Sequence, residues 1–248
     1  MTETAHNFTR KRDAKRIKKQ FLQVLEYMVF CYHYLKKDNE ENQLPYSKND
    51  CSTNTAFTFE DWLKIRFVED YLQEFKNHFN CPDIKEIHFQ YETQKTYIDP
   101  SGKQRIDKID VIISNLGLQE YWSGVREEDR YFAFECKRLH NTANNANYIS
   151  DIKKFAERQY KVRSPFEGMI GFVEKSSISI ETIILDINQR LRDHDAIKTL
   201  QELTSIEPAA PGNDFKYCRL SKHSKSFEQR ITFGVYHLFF DYSNLIVD

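Results

Sequence analysis

The chain has 248 residues, of which 40% are hydrophobic and 14% are aromatic, and its formal net charge at pH 7 is −1. This length and apolar content are enough for one large packed domain, and the low Gly and Pro counts exclude long low-complexity segments. The near-neutral charge excludes a uniformly basic protein, although a local basic surface remains compatible with it.

The cysteines are odd in number, scattered, and never spaced as C-x-x-C. They are Cys31, Cys51, Cys81, Cys136 and Cys218. This pattern favours reduced thiols over a disulfide framework or a zinc site. The first residues contain no apolar run typical of a signal peptide, and no apolar stretch reaches the ~18 residues that span a bilayer. We therefore predict a cytoplasmic protein without a membrane segment.

Residues 8 to 37 are predicted to form a helix, because apolar residues recur there every three or four positions. Residues 38 to 57 are polar, which predicts a linker. The first half of the helix is strongly basic, with Arg10, Lys11, Arg12, Lys15, Arg16, Lys18 and Lys19. A solvated face and a contact with a nucleic-acid backbone or a protein partner are both compatible with this run. The predicted division is a basic helix with linker (1–57) and a second domain (58–248).

The second predicted domain opens with a helix and a β-hairpin. Thr58 is the predicted N-cap of a helix from about Phe59 to Phe79. Residues 86 to 97 and 104 to 114 alternate as strands do, and the sequence Asp-Pro-Ser-Gly at 99–102 predicts the turn between them. The remaining predicted elements are a polar loop at 115–130, strands at 131–138, 168–173, 217–220 and 231–242, and helices at about 148–162 and 178–203.

Two of these strands place ionisable residues in the middle of apolar runs. Asp110 lies in the second hairpin strand, and Glu135 and Lys137 lie in the strand after it. Such placement is costly unless the charges meet a metal ion or each other. Because side chains alternate along a strand, Glu135 and Lys137 share one face. Two carboxylates and a lysine suit metal-dependent hydrolysis of a phosphodiester, in which the carboxylates bind Mg²⁺ and the ammonium orients the attacking water.

At these residues the chain resembles the PD-(D/E)XK nuclease superfamily, which includes restriction endonucleases and Holliday junction resolvases. The pattern is an acidic residue in one strand, a variable gap, and Glu-x-Lys in the next strand. Here it comprises Asp110, a gap of 24 residues, and Glu135-Cys136-Lys137, with Ile109 where the pattern has proline. The resemblance covers roughly residues 58 to 175. It implies an α/β fold with a restriction endonuclease-like αβββαβ core, in which helices flank a central mixed sheet.

The resemblance also implies the roles of these residues. Asp110, Glu135 and the backbone carbonyl of Cys136 would bind Mg²⁺ or Mn²⁺, and Lys137 would position or activate the water. Relatives commonly add a glutamate from the first helix of the core to the metal site.

Glu60 and Glu69 are the two candidates for that glutamate. They are nine residues apart, so at ~100° per residue they point to opposite sides of a helix. Glu60 falls on the apolar stripe, and we favour it as a metal ligand. The alternative, that Glu60 is only a first-turn carboxylate favoured by the helix dipole, stays open.

The helix after the Glu-x-Lys strand supplies further candidates. Gln159 falls on one helical face with Tyr148, Ile152 and Phe155. Since many superfamily nucleases place a Gln or Lys of this helix near the metal, the resemblance implies a catalytic role for Gln159. The basic residues Lys153, Lys154, Arg158 and Lys161 are predicted to contact nucleic-acid phosphates, with a solvated face as the alternative.

The resulting hypothesis is a metal-dependent nuclease that acts on nucleic acid, preferentially DNA, in restriction, repair or phage defence. A homodimer is an open alternative, because many relatives use two sites to cut two strands. A catalytically inactive nucleic-acid- or protein-binding module of the same fold is the second hypothesis. The third is an interaction protein in which Asp110 and Lys137 form only a buried ion pair.

Overall fold

The computed structural model describes residues 3–42, 46–49, 51, 57–114, 130–159, 165–206 and 215–247. The helices are α1 (Glu3–Asn42), α2 (Phe59–Arg66), α3 (Pro82–Lys85), α4 (Asn145–Glu157) and α5 (Ile180–Arg192). The strands are β1 (Tyr46–Ser47), β2 (His88–Ile98), β3 (Gln104–Ser114), β4 (Phe132–Leu139), β5 (Phe166–Val173), β6 (Thr199–Ser205), β7 (Cys218–Ser224), β8 (Thr232–Asp241) and β9 (Ile246–Val247).

A mixed sheet with the strand order β2-β3-β4-β5-β8-β7-β6 forms the centre of the molecule. Strands β4, β5 and β8 are parallel to one another, whereas β2, β3, β7 and β6 join antiparallel. The parallel strands are buried nearly throughout, as expected where helices cover both faces. The predicted α/β class with a mixed sheet and flanking helices is confirmed, and so is the predicted hairpin of β2 and β3.

Helix α1 covers one face of the sheet. The Phe21 ring lies 5.5 Å from that of Phe134 and 4.8 Å from that of Phe132, and Tyr32 Oη donates a hydrogen bond of 2.8 Å to Asp241 O. The predicted N-terminal helix is therefore confirmed, and it is longer than predicted. It packs into the same core as β4 and β8. The predicted division at residue 57 stays a prediction.

The second helix begins where the sequence predicts. Thr58 Oγ1 accepts a hydrogen bond of 3.2 Å from Asp61 N, and the Asp61 carboxylate accepts one of 3.3 Å from Thr58 N. This reciprocal capping box satisfies two backbone donors at the helix start. After α2 the chain continues with π-helical winding over Phe67–Gln73 and 3-10 winding over Glu74–His78. The predicted helical span is thus confirmed, but its regular α-helical winding is not.

The helix predicted to reach residue 162 ends at Glu157, so this boundary was wrong. Arg158 is extended, and Gln159 pairs with Ile98 at the end of the hairpin. Ile98 N donates to Gln159 O at 2.8 Å, and Gln159 N donates to Ile98 O at 3.1 Å. These two backbone hydrogen bonds compete with continuation of the helix, and a single sequence does not reveal such long-range pairing.

The helix predicted at 178–203 was wrong at its end, because α5 stops at Arg192 and β6 follows as an edge strand beside β7. Residues 38–57 were predicted as a linker, but the last residues of α1 lie in this range. Strand β1 also lies in it and pairs with β9. The predicted loop at 115–130 lies outside the described residues except for its last residue. No helix of the described chain is long and apolar enough to cross a membrane.

Candidate functional site

Asp110 and the Glu135-x-Lys137 segment meet where β3 and β4 separate. The ladder between these strands ends at the pair Val111 and Phe134. Immediately beyond it, Asp110 Oδ2 accepts a hydrogen bond of 2.8 Å from Cys136 N. The carboxylate therefore replaces a backbone acceptor and fixes Asp110 against the residue between Glu135 and Lys137. The structure thus brings together the three residues that the sequence pattern selects.

Glu135 contributes a buried carboxyl group to this region. Only 5% of its surface is exposed. Burial, followed by the charges of Asp110 and Asp151, raises the pKa of Glu135 well above its usual value. Among the described residues, no ammonium or guanidinium group pairs with it, and the neighbouring carboxyl group of Asp110 disfavours its ionisation further. Two carboxyl groups that meet in a buried position favour a shared proton or a bound cation.

Lys64, which the sequence analysis did not select, lies on the other side of Asp110. Its Nζ is 2.9 Å from Asp110 Oδ1, 2.9 Å from Asp61 Oδ1 and 3.2 Å from Glu92 Oε1, and its side chain is 1% exposed. Burial by itself lowers the pKa of Lys64, but the charges around it, with Asp110 the largest contribution, raise it above the ordinary value. Lys64 is therefore a protonated internal cation at neutral pH.

The pKa of Asp110 is shifted in the opposite direction to that of Glu135. Burial raises the pKa of Asp110, but the Lys64 ammonium and the Cys136 N–H outweigh burial and hold it below the usual value. At neutral pH Asp110 is therefore ionised. The two carboxyl groups differ because the cation and the backbone donor both contact Asp110.

Glu92 completes the surroundings of Lys64 from β2. Its φ is +56°, a left-handed conformation that is uncommon for a residue other than glycine. The β2–β3 ladder pairs Tyr91 with Val111 and Thr93 with Ile109, and Glu92 lies between them without a paired partner. Its second oxygen, Oε2, is 2.8 Å from Lys108 Nζ. Strained backbone of this kind is found preferentially at functional sites.

Lys137 is held by carboxylates from two helices. Its Nζ is 3.2 Å from Glu60 Oε1 and 3.1 Å from Asp151 Oδ2. Burial by itself lowers the pKa of Lys137, but the carboxylates of Asp151, Glu60 and Asp110 outweigh it and raise the pKa. The amine is protonated at neutral pH, so it suits stabilisation of negative charge and does not suit removal of a proton.

Of the two predicted glutamates, Glu60 lies at the site. Besides its contact with Lys137, Glu60 Oε2 accepts a hydrogen bond of 2.9 Å from Arg138 N. Glu69 instead accepts a hydrogen bond of 2.7 Å from Tyr91 Oη at the surface. Both Glu60 oxygens have donors, as both Asp110 oxygens do. The predicted role of Glu60 as a metal ligand stays a prediction.

Helix α4 faces the cluster with Asp151, a residue that the sequence analysis missed. Gln159, the predicted catalytic residue, has an exposed side chain beyond the end of α4, and its backbone pairs with Ile98. Glu92 and Ile98 are six residues apart on β2, which corresponds to about 20 Å along a strand. The structure therefore does not bring Gln159 together with Asp110 and Glu135.

The predicted phosphate-binding residues do not share one face. Lys153 lies near the surface beside Glu157, at 3.6 Å, whereas Lys154 Nζ is 2.5 Å from Asp151 Oδ1. Arg158 pairs with Asp107, and its guanidinium lies 4.8 Å from the centre of the Tyr97 ring. Lys161 lies outside the described residues. Nucleic-acid contact through this group stays a prediction.

Cys136 presents its backbone, and not its thiol, to the site. The thiol is buried in the core under α1, and burial raises its pKa well above the usual value, so it remains protonated and unreactive. The Cys136 amide binds Asp110, as described above. The predicted use of its carbonyl as a metal ligand stays a prediction.

Asp110 and Glu135 are the two residues whose carboxyl groups could bind a divalent cation at this site. Within the described part of the chain, no group of three or more His, Cys, Asp or Glu residues is arranged to hold a metal. Two meeting carboxylates are nevertheless sufficient for Mg²⁺, which retains several waters and takes further oxygens from a phosphate substrate. The carboxylates of the region are Glu60, Asp61, Glu92, Asp110, Glu135 and Asp151, and its ammonium groups are Lys64, Lys108, Lys137 and Lys154. With all groups ionised, two negative charges remain, which suits one divalent cation.

Compared with known proteins, the chain matches no family model, no curated protein and no solved structure.

Proposed function

We propose that this chain is a divalent-metal-dependent nuclease of the PD-(D/E)XK type that hydrolyses phosphodiester bonds, with DNA as the preferred substrate. The observation that carries the proposal is the contact between Asp110 Oδ2 and Cys136 N, which brings Asp110 against Glu135 and Lys137 at the separation of two strands. The element order from α2 through the hairpin, β4 and α4 to β5 supports a restriction endonuclease-like core.

Asp110 and Glu135 would hold Mg²⁺ or Mn²⁺. A bound ion lowers the pKa of a coordinated water and neutralises charge on the phosphate. The raised pKa of Glu135 fits this role, because a cation at the site would favour the ionised form that burial and Asp110 disfavour.

Lys137 would stabilise the negative charge that develops on the phosphate during attack. Glu60 and Asp151 hold its ammonium in place and keep it protonated. A donor that is fixed before the reaction costs little reorganisation, which is the main source of electrostatic catalysis. Asp151 and Glu60 are thus positioning residues that act through Lys137.

The first test is incubation of the purified protein with linear, circular and single-stranded DNA and with RNA, each with Mg²⁺, Mn²⁺ or EDTA. We expect cleavage of at least one substrate with metal, none with EDTA, and loss of cleavage in Asp110→Asn. Cleavage by Asp110→Asn at the rate of the unmodified protein contradicts the proposal.

The second candidate function is a catalytically inactive nucleic-acid- or protein-binding module. Lys64 favours it, because this buried ammonium compensates Asp110 without a metal. Binding of DNA that is unaffected by EDTA, together with no cleavage of any substrate, would support this alternative over the nuclease.

A further inference from the structure

Lys64 binds the oxygen of Asp110 that the Cys136 amide does not bind, and two further carboxylates surround its ammonium. In sites with two metal ions, the ions lie about 3.5–4 Å apart and share a carboxylate. The Lys64 ammonium already binds one oxygen of Asp110 and also contacts Asp61 and Glu92. Three carboxylates around one cation resemble the ligand set of a metal ion more than an ordinary surface ion pair.

The surroundings keep this ammonium in place. The side chain is 1% exposed, so it has no accessible solvent position in the fold. The capping box fixes one neighbour, since Asp61 binds Thr58 as well as Lys64. Lys108 at 2.8 Å from Glu92 adds a second positive charge on the same side.

The two sides of Asp110 therefore differ. On the Lys64 side, a divalent cation at Asp110 Oδ1 would lie close to a fixed ammonium and would be repelled. On the Glu135 side, the described residues include no ammonium or guanidinium paired with the Glu135 carboxyl, and a cation would be attracted.

We propose that Lys64 is a resident cation of the site, which holds Asp110 and restricts the site to one divalent ion per chain. This inference rests on the proposed function for the existence of a metal site at Asp110 and Glu135. It adds that a lysine ammonium takes the place of a second ion.

Calorimetric titration of the full chain with Mn²⁺ tests the stoichiometry directly, with Glu135→Gln as the blank for ions bound elsewhere on the surface. We expect one site-specific ion per chain in the unmodified protein. Lys64→Arg keeps the charge and should also bind one ion. Lys64→Met removes the charge while it keeps an apolar stem, and it should bind two.

A matched control is Lys76→Met, which removes a lysine from the 3-10 segment that follows α2, where its ammonium binds the Ile87 carbonyl. It should bind one ion. Circular dichroism in EDTA checks that each variant is folded. If Lys64→Met is not, two ions in the unmodified protein or in Lys64→Arg would still overturn the role of Lys64.

The outcomes separate the two proposals. Two ions in the unmodified protein, two in Lys64→Arg, or one in a folded Lys64→Met would overturn the role of Lys64 and leave the nuclease proposal intact. No ion in the unmodified protein would overturn both. One ion in the unmodified protein and in Lys64→Arg, with two in Lys64→Met, supports both.

Discussion

Helix α4 contributes to two buried polar networks, and they differ in charge. Asp151 belongs to the ionic cluster around Lys137. Tyr148, one turn earlier, begins a neutral network in which its Oη lies 2.8 Å from His237 Nδ1. Ser221 Oγ then lies 2.8 Å from His237 Nε2 and 2.7 Å from His223 Nε2.

In the neutral network, each hydroxyl group and each imidazole ring can donate its one proton to the next member of the chain. His223 Nδ1 ends it at 3.2 Å from Thr199 Oγ1. If Tyr148 donates to His237, then His237 donates to Ser221, Ser221 to His223, and His223 to Thr199. Burial lowers the pKa of His223 to about 4 and that of His237 well below its usual value, so both rings stay neutral.

The difference indicates what each network is for. Every donor of the neutral network has an acceptor, so it fits a structural role in which buried polar groups are fully paired. In the ionic cluster carboxylates outnumber ammonium groups, and Glu135 lacks a cation among the described residues. A buried carboxyl group with a strongly raised pKa and no paired cation is expected at a site that binds a ligand.

The largest expected effect is a loss of activity when the ionic cluster loses the ammonium that would act on the phosphate. Lys137→Met should lower the cleavage rate by about 100-fold to 1,000-fold, the usual effect of removing a fixed donor to developing charge. Lys154→Met is the matched control, because Lys154 contacts Asp151 at the surface end of the same cluster. Its rate should change by less than about 10-fold. Single-turnover cleavage assays measure both, and equal losses in the two variants would contradict the assignment.

The neutral network should instead affect stability. His237→Leu leaves the buried Tyr148 hydroxyl without a partner and removes one of the two partners of the Ser221 hydroxyl, which should cost about 2–4 kcal/mol of unfolding free energy. His78→Leu, at an exposed position, should change it by less than about 0.5 kcal/mol. Denaturant unfolding in EDTA gives both values. A loss below about 1 kcal/mol in His237→Leu would show that the network is not fully formed.

In the absence of metal, the two networks should make the free energy of unfolding change with pH in opposite directions. The pKa of Glu135 is raised in the folded chain, so its contribution is present below the unfolded value of 4.5 and is lost as pH rises through the folded pKa. The pKa values of His223 and His237 are lowered, so their contribution is present above the unfolded value of 6.5 and is lost as pH falls.

Substitution of Glu135 isolates its part of this pH dependence. Glu135→Gln should flatten the decline in stability as pH rises above 4.5, a slope of up to about 1.4 kcal/mol per pH unit for one proton. Thermal unfolding in EDTA across this range measures the slope. A slope that is the same in Glu135→Gln and in the unmodified protein would show that Glu135 is not the titrating group.

The smallest expected effect concerns the helix cap that supports the ionic cluster. Thr58→Ala removes the acceptor for Asp61 N and a donor to the carboxylate that binds Lys64, and should cost about 1 kcal/mol. Thr58→Ser keeps the hydroxyl and should lose less than half of that. Equilibrium unfolding distinguishes the two, and identical losses would assign the effect to the methyl group.

Much of the ionic cluster could be predicted because its residues interrupt apolar patterns. Asp110, Glu135 and Lys137 lie in buried strands, and Glu60 lies on an apolar helical stripe. Lys64 and Asp151 carried a similar signal, since each lies among apolar residues at helical spacing, and it was overlooked.

Other parts depend on contacts between distant segments. The position of Gln159 follows from backbone pairing with Ile98, and β6 follows from pairing with β7 after α5 ends. Glu92 adopts a left-handed conformation that no local residue pattern indicates. The neutral network joins α4, β6, β7 and β8. The spacing of His223 and His237 in the sequence therefore does not predict it.

Mg²⁺-dependent cleavage by the unmodified protein and by Glu135→Gln tests the central claim most directly. We predict that the unmodified protein cuts nucleic acid at a rate that rises with Mg²⁺ concentration and falls to zero in EDTA. Glu135→Gln should remain folded and cut at about one hundredth of that rate or less. Equal Mg²⁺-dependent rates for the two proteins, or no cleavage by the unmodified protein on any DNA or RNA, would contradict it.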